Sequence, residues 1–202
     1  MKIKICGLQR ADQIKSILGL APDYIGLIFV PASKRFIGED LNILSALQSK
    51  VATSVVGVFQ SPEIEFLTAM IGQYQLDAVQ IYHLNPKLLD TLRTSFPKLE
   101  IIEARNVKAL SDLTDSNADL LLLDSQVSGS GEVFDWQLLD AYRGNTPFML
   151  AGGIAPELIP QIKETFKKHP RFIGIDLNSK LEDAPGTKNI EKVKAAIAAG
   201  RL

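Results

Sequence analysis

Eight short apolar runs, regularly spaced and separated by segments of helical periodicity, constrain the fold of this chain most strongly. Most of the runs are continuously apolar and do not alternate with polar residues, which is typical of parallel strands covered on both faces. The predicted strands are Ile3–Cys6, Tyr24–Val30, Ser54–Phe59, Ala78–Tyr82, Leu99–Ala104, Asp119–Asp124, Pro147–Ala151 and Phe172–Leu177.

The segments between the strands place apolar residues on one helical face, as expected for helices that pack on a sheet. Two of them carry a start signal, because Ser61 precedes Pro62 and Asn85 precedes Pro86. A capping side chain followed by proline favours the first helical turn. The predicted helices are Ala11–Leu20, Asp40–Ser49, Pro62–Tyr74, Pro86–Ser95, Val107–Thr114, Phe134–Tyr142, Pro156–Lys168 and Asn189–Ala199.

Parallel strands that alternate with helices form either an open, doubly wound sheet or a closed (β/α)8 barrel. Eight units in 202 residues leave about 25 residues per unit, near the lower limit for a barrel, so the loops must be short. No linker, low-complexity stretch or change in composition divides the chain. We therefore expect a single domain over residues 1–202.

Charge and cysteine content exclude several classes of function. The net charge of −1 gives no basic field for nucleic acid or an anionic membrane. The single cysteine rules out an intrachain disulfide framework and fits a reducing compartment. His83 and His169 lie far apart, so no zinc-ligand spacing is present. The chain shows no signal-peptide pattern and no run of membrane-spanning length, so we expect a cytoplasmic protein without metal.

A thiol and a carboxylate each follow a predicted strand. Cys6 ends the first strand, and Asp124 ends the apolar run of the sixth. In parallel α/β folds the carboxyl ends of the strands collect catalytic groups. The alternative for Cys6 is a core position, since lone cysteines are among the most often buried residues.

Two further strand ends could bind an anion. Gly152 and Gly153 follow the seventh strand and precede a helix, so their N–H groups could approach a ligand closely. The eighth strand ends at Asp176, Asn178 and Ser179, which add small polar groups. In barrels a phosphate often lies between these two loops; the alternative is a pair of ordinary turns.

Two other loops complete the candidate site. The loop after the sixth strand contains Gly129 and Gly131 and is too long for a tight turn, which is typical of a segment that contacts a substrate. The loop after the second strand carries Arg35, whose guanidinium could form a bidentate contact with a carboxylate. The alternative for Arg35 is a solvated surface position.

In this order and spacing, the pieces resemble the phosphoribosylanthranilate isomerase family of tryptophan biosynthesis. The resemblance covers nearly the whole chain. The segments that carry it are Lys4–Gly7, Asp23–Val30, Ser33 with Arg35, Val56–Phe59, Val79–Gln80, Leu122–Asp124, Gly129–Gly131, Phe134–Trp136, Ala151–Gly153 and Glu182–Lys188.

The resemblance implies a (β/α)8 TIM barrel of the ribulose-phosphate-binding type that catalyses an Amadori rearrangement without a cofactor. The substrate would be N-(5-phosphoribosyl)anthranilate, a small phosphosugar. Independently of the resemblance, we expect a monomer or a homodimer. By position, the resemblance implies that Cys6 is the general base, that Asp124 is the general acid and that Arg35 binds the anthranilate carboxylate. The residues implied in phosphate binding are Gly152, Gly153, Asp176, Asn178 and Ser179. The residues implied to lie near the substrate are Gln80, Tyr82, Gly129 and Gly131.

The implied chemistry sets requirements on both groups. Asp124 must be protonated to donate to the ribose ring oxygen, so its pKa must be raised by burial. Cys6 must remove the C2 proton as a thiolate, so nearby positive charge must lower its pKa from about 8.5 toward neutrality.

The chain departs from the family pattern at four places. Tyr82-His83 stands where the family usually has His-Gly, Ser128 replaces a glycine, Lys34 replaces a proline, and Asn178-Ser179-Lys180 replaces Ser-Ser-Gly. If Lys180 had a positive φ, it would cost on the order of 1 kcal/mol or more. Its ammonium group could instead strengthen phosphate binding.

Three alternatives remain. An indole-glycerol-phosphate synthase would carry lysine and glutamate residues on the central strands, and no such set is found. A metal-dependent sugar-phosphate epimerase would need histidines at strand ends, and only His83 lies near one. A barrel-fold binding or regulatory protein would keep phosphate affinity without turnover, and phosphate binding without isomerisation would identify it.

Overall fold

The computed structural model describes residues 1–38, 42–124, 139 and 141–201. Eight parallel strands close into a barrel in chain order, with the last strand paired to the first. This arrangement confirms the predicted barrel and excludes the open sheet. The strands are β1 (Lys2–Ile5), β2 (Tyr24–Ile28), β3 (Ser54–Gln60), β4 (Ala78–Tyr82), β5 (Glu100–Asn106), β6 (Leu120–Asp124), β7 (Phe148–Ala151) and β8 (Phe172–Leu177).

Helices connect most of the described strands. The helices in the described part are α1 (Ala11–Leu18), α2 (Asn42–Leu47), α3 (Ile64–Tyr74), α4 (Pro86–Ser95), α5 (Ile159–Phe166) and α6 (Ile190–Arg201). Most of the helix predicted over Phe134–Tyr142 lies outside the described residues. None of the described helices combines the length and apolar character needed to cross a membrane.

One predicted helix is only a turn. The segment predicted as a helix over Val107–Thr114 contains a single 3-10 turn at Leu110–Asp112. The Asp112 carboxylate accepts hydrogen bonds from the N–H groups of Lys108 and Ala109, at 2.8 and 2.9 Å. This local bonding satisfies the backbone without a helix, which is how aspartate competes with helical structure.

The two predicted helix starts had different outcomes. The Asn85 side chain accepts a hydrogen bond from the Leu88 N–H at 2.9 Å, which confirms the cap at α4. The start at Ser61 was wrong: Ser61 has a left-handed φ of 42°, and α3 begins three residues later. The Ser61 N–H instead donates to the Tyr82 carbonyl, so it continues the β3–β4 connection.

The hydrophobic core has two main layers. The larger lies between the strands and the helices and includes the stacked rings of Phe29 and Phe59. The smaller fills the barrel interior with residues such as Val56, Ala78 and Leu122. Because all strands run in one direction, their carboxyl ends meet at one rim, and the interior layer forms the floor of that rim.

A small hairpin follows β8 and was not predicted. Its strands, β9 (Glu182–Ala184) and β10 (Thr187–Lys188), pair antiparallel. The turn between them contains Gly186 at a φ of 81°. The hairpin brings two charged side chains, from Glu182 and Lys188, to the barrel rim.

Candidate active site

A cavity of about 320 Å³ opens at the carboxyl ends of the strands. All predicted site residues that the structure describes line it, although they come from six different strands and loops. These residues are Cys6, Arg35, Gln80, Tyr82, Asp124, Gly152, Gly153, Asp176, Asn178 and Ser179. Gly129 and Gly131, as well as the departure at Ser128, lie outside the described residues.

The thiol of Cys6 sits at the base of the cavity. Its N–H donates to the Leu177 carbonyl at 2.8 Å, which extends the β1–β8 pairing by one residue. Gly26 on β2 makes room for it, since a Cβ at Gly26 would lie 2.6 Å from the sulfur. The residue is buried, with only 4% of its surface exposed.

The electrostatics at Cys6 differ from expectation. Burial raises the pKa of the Cys6 thiol, although the ammonium groups of Lys4 and Lys188 act to lower it. The expected positive charge is therefore present, but desolvation outweighs it. The expectation of a pKa lowered toward neutrality was wrong.

A buried polar network lies beneath the cavity. Lys4 Nζ donates to Asp176 Oδ2 at 2.8 Å and to Gln80 Oε1 at 2.9 Å, which joins β1, β8 and β4. Burial would lower the pKa of Lys4, but the nearby charges of Asp176 and Cys6 raise it. Burial raises the pKa of Asp176 against the opposing effect of Lys4.

Asp176 lines the cavity at the end of β8, where its carboxylate is paired with Lys4. Its Oδ1 is buried and has no hydrogen-bond partner among the described residues. A carboxylate repels a phosphate, so any part of Asp176 in phosphate binding falls to its main chain. In the sequence, Lys4 is recognisable only as a lysine on the first strand.

The Asp124 carboxylate is held from across the barrel rim. Tyr82 Oη on β4 donates to Asp124 Oδ2 on β6, at 3.1 Å. Burial, followed by the charge of Asp124, raises the pKa of Tyr82 far above its ordinary value of 10.0. The phenol therefore stays protonated and is a permanent hydrogen-bond donor.

The glycine pair after β7 has a backbone conformation that is suited to binding an anion. Gly152 and Gly153 both have positive φ, at 98° and 61°. A Cβ at Gly153 would meet nothing within 4 Å, so its backbone faces open space. Ser179 and Lys180 lie on the same cavity, in the 3-10 turn after β8.

Arg35 is fixed by an acidic side chain that the sequence analysis did not single out as a site residue. Glu182 Oε1 accepts from Arg35 Nε at 2.8 Å, and Oε2 accepts from Nη2 at 2.6 Å. Lys188 Nζ also donates to Glu182, at 2.7 Å, and to Asn178 Oδ1, at 2.7 Å. Arg35 Nη1 has no hydrogen-bond partner among the described residues, so one edge of the guanidinium remains available.

The condition for backbone strain at Lys180, a positive φ, is not met. Lys180 lies in the 3-10 turn and is not among the residues with positive φ. His83, at another departure from the family pattern, has a left-handed φ of 60° instead. No group of three or more His, Cys, Asp or Glu side chains in the described ranges could hold a metal ion.

Comparison with known proteins identifies one family. The family model for N-(5'phosphoribosyl)anthranilate (PRA) isomerase matches residues 3–199. The N-(5'-phosphoribosyl)anthranilate isomerase of Trichodesmium erythraeum is 34% identical, and the match covers 96% of this chain and 94% of the relative. That of Parabacteroides distasonis is 36% identical, with coverages of 96% and 90%.

Solved structures give the same result. A phosphoribosyl anthranilate isomerase in complex with reduced 1-(o-carboxyphenylamino)-1-deoxyribulose 5-phosphate superposes with a TM-score of 0.81 at 25% identity, over 100% of this chain and 98% of that one. The enzyme from Thermus thermophilus has a TM-score of 0.81 at 27% identity, covering 98% of each chain. These matches agree with the closed barrel described above.

Proposed function

This chain belongs to the N-(5'-phosphoribosyl)anthranilate isomerase family, and on that premise we propose that it converts N-(5-phosphoribosyl)anthranilate to 1-(2-carboxyphenylamino)-1-deoxyribulose 5-phosphate. The reaction is an Amadori rearrangement in tryptophan biosynthesis. The observation that carries the proposal is that Cys6 and Asp124 line one cavity, together with a glycine cradle and a cation. That cavity therefore offers a base, an acid and sites for both charged ends of the substrate.

Asp124 is the general acid in this proposal. Its carboxyl group donates a proton to the ribose ring oxygen while the nitrogen lone pair expels that oxygen from C1. The C1–O bond breaks, and an open-chain iminium ion forms. The hydrogen bond from Tyr82 keeps the carboxyl group at the rim where the ring oxygen would lie.

Cys6 is the general base for the second step. Its thiolate removes the proton from C2, which the neighbouring iminium ion has made acidic, and the electron pair neutralises the nitrogen. The resulting enol-amine gains a proton at C1 and loses the hydroxyl proton at O2, which gives the ketone without a change in composition. The ammonium groups of Lys4 and Lys188 act to lower the pKa of the thiol, against the larger effect of burial.

The charged ends of the substrate suit different groups that line the cavity. The backbone N–H groups near Gly152 and Gly153, with those of the turn at Ser179, suit the phosphate. Arg35 suits the anthranilate carboxylate, because Glu182 occupies only its Nε and Nη2 edge. A ligand held at both ends would place its ribose over Cys6 and Asp124.

A fluorescence progress curve tests the proposal. Phosphoribosylanthranilate is generated in situ, and the loss of its anthranilate emission is followed with the wild type, Cys6→Ala and Asp124→Asn. We expect each variant to lose at least about 100-fold in kcat while circular dichroism shows an unchanged fold. Asp12→Asn is the matched control, since Asp12 is exposed on α1 and pairs only with Arg10 among the described residues.

The outcomes separate the alternatives. Turnover by the double variant Cys6→Ala/Asp124→Asn would contradict the assignment. A folded wild type that binds a phosphosugar without loss of emission would instead point to a barrel that binds phosphate ligands without isomerising them.

We further place the enzyme in the cytoplasm as a monomer or homodimer. A single cysteine and a net charge of −1 support a reducing compartment and a small-molecule partner rather than nucleic acid. Light scattering on the purified chain measures the oligomeric state. A larger assembly would contradict this part of the proposal.

A further inference from the structure

Tyr82 reaches the Asp124 carboxylate over an intervening strand. It ends β4, and Asp124 ends β6, with β5 between them. In the strand register Tyr82 lies opposite Ala104, whose side chain is a single methyl group in the barrel interior. The small residue leaves room for the tyrosine ring to cross β5, and the hydroxyl then meets Asp124 Oδ2 at 3.1 Å.

We propose that Tyr82 is the positioning residue for Asp124, holding the orientation of its carboxyl group for proton donation. The inference rests on the proposed function, in which Asp124 is the general acid. Because Oδ2 accepts the phenol hydrogen, this hydrogen bond restricts the rotation of the carboxyl plane about the Cβ–Cγ bond. Tyr82 acts on the reaction only through Asp124.

The charges around Tyr82 keep it in the donor form. Burial is the main reason why the pKa of Tyr82 is raised, and Asp124 on β6, Asp176 on β8 and Cys6 at the end of β1 also disfavour a negative phenolate. The phenol therefore donates at every pH at which the enzyme would operate. A donor to a carboxylate stabilises its charged form, so the hydrogen bond must also act on the titration of Asp124.

The test removes the hydroxyl and keeps the ring. In Tyr82→Phe we expect kcat to fall about tenfold, as for the loss of one oriented hydrogen bond to a charged group, while KM stays within about twofold. The second readout is the ¹³C chemical shift of the Asp124 carboxyl carbon, assigned by its loss in Asp124→Asn. We expect its titration midpoint to move upward by about half a pH unit or more in Tyr82→Phe.

Tyr24→Phe is the matched control. Tyr24 Oη also hydrogen-bonds to a carboxylate, Glu100 Oε1 at 3.2 Å, but both residues begin their strands at the opposite end of the barrel. Losing that hydroxyl should leave both kcat and the Asp124 titration unchanged. It thereby separates a specific effect of Tyr82 from the general effect of removing a phenol.

Two results would overturn the inference. One is an Asp124 titration midpoint that does not move in Tyr82→Phe, and the other is a raised KM at unchanged kcat, which would make Tyr82 a direct substrate contact. The carbon titration needs no substrate, so it remains decisive if the wild type lacks isomerase activity. In that case the proposed function fails, and the coupling of Tyr82 to Asp124 is judged separately.

Discussion

His83 holds a backbone conformation that its side chain disfavours. Its φ of 60° lies in the left-handed region, and the residue is exposed in the turn after β4. Left-handed geometry costs an L-residue on the order of 1–2 kcal/mol, and glycine avoids that cost. Glycine loses more entropy on folding, by about 0.4–1 kcal/mol, so the net gain is smaller.

We therefore predict that His83→Gly raises the free energy of unfolding by about 0.5–1 kcal/mol. Lys180→Gly is the contrasting variant, because Lys180 already lies in a 3-10 turn without positive φ. There glycine should destabilise the fold, by up to about 1 kcal/mol. Urea unfolding of both variants measures the change in the free energy of unfolding. An equal loss of stability at both positions would contradict this prediction.

The positions of some site residues could be predicted from the sequence, and those of others could not. Cys6 and Asp124 could be placed together because each ends an apolar strand, and parallel strands end at one rim. Glu182 could not be placed, since it bonds to Arg35 from 147 positions away and lies in a hairpin without a strand-like pattern. The pKa of Cys6 could not be predicted either, because the sequence does not report desolvation.

At the scale of elements, Glu182 ties the β9–β10 hairpin to the loop after β2. It accepts hydrogen bonds from Arg35 and Lys188, and only 4% of its side chain is exposed. Although burial alone would raise it, these two cations hold the pKa of Glu182 below its ordinary value of 4.5. A carboxyl group with a lowered pKa stabilises the fold above its unfolded pKa, and the contribution disappears as the pH falls through the folded value.

Glu182→Gln should therefore lose about 2 kcal/mol of stability at pH 7, and the difference from the wild type should shrink steadily below about pH 4.5. Chemical unfolding at several pH values measures this. Glu164→Gln is the control, because Glu164 pairs with Lys167 in the open, at 3.5 Å, and should change little at any pH. A deficit in Glu182→Gln that is independent of pH would show that packing, and not charge, is responsible.

The positions at which helices begin and end were harder to predict from the sequence than the helices and strands themselves. Strands and long helices were predicted well because their periodicity extends over several residues, and α4 also has a specific cap at Asn85. The start of α3 and the turn at Leu110–Asp112 depended on a few local hydrogen bonds, from the Ser61 N–H and to the Asp112 carboxylate. Whether such local hydrogen bonds form in place of a helical turn depends on geometry that residue type alone does not determine.

At the scale of the whole molecule, the barrel encloses charged groups where its first and last strands meet. Lys4 and Asp176 lie opposite each other in the β1–β8 register, and Lys4 is fully buried. Gln80 adds a contact to β4 on the far side of the interior. The ion pair therefore joins the two strands whose pairing closes the barrel, beneath the cavity that holds Cys6.

Removing one partner of a buried ion pair leaves an uncompensated charge, whereas replacing both by apolar groups can be nearly neutral. We predict that Lys4→Met lowers the free energy of unfolding by about 3–5 kcal/mol, and that Lys4→Met/Asp176→Leu recovers most of that loss. The exposed pair of Lys194 with Glu191 gives the control, since Lys194→Met should cost less than about 1 kcal/mol. Denaturant unfolding of the three variants measures the cost of the single substitution and how much of it the second substitution restores. Two results would contradict this prediction: a loss of stability in Lys4→Met as small as that in the control, or a double variant less stable than Lys4→Met. Closure of the barrel would then depend on apolar packing around β1 and β8 and not on charge compensation.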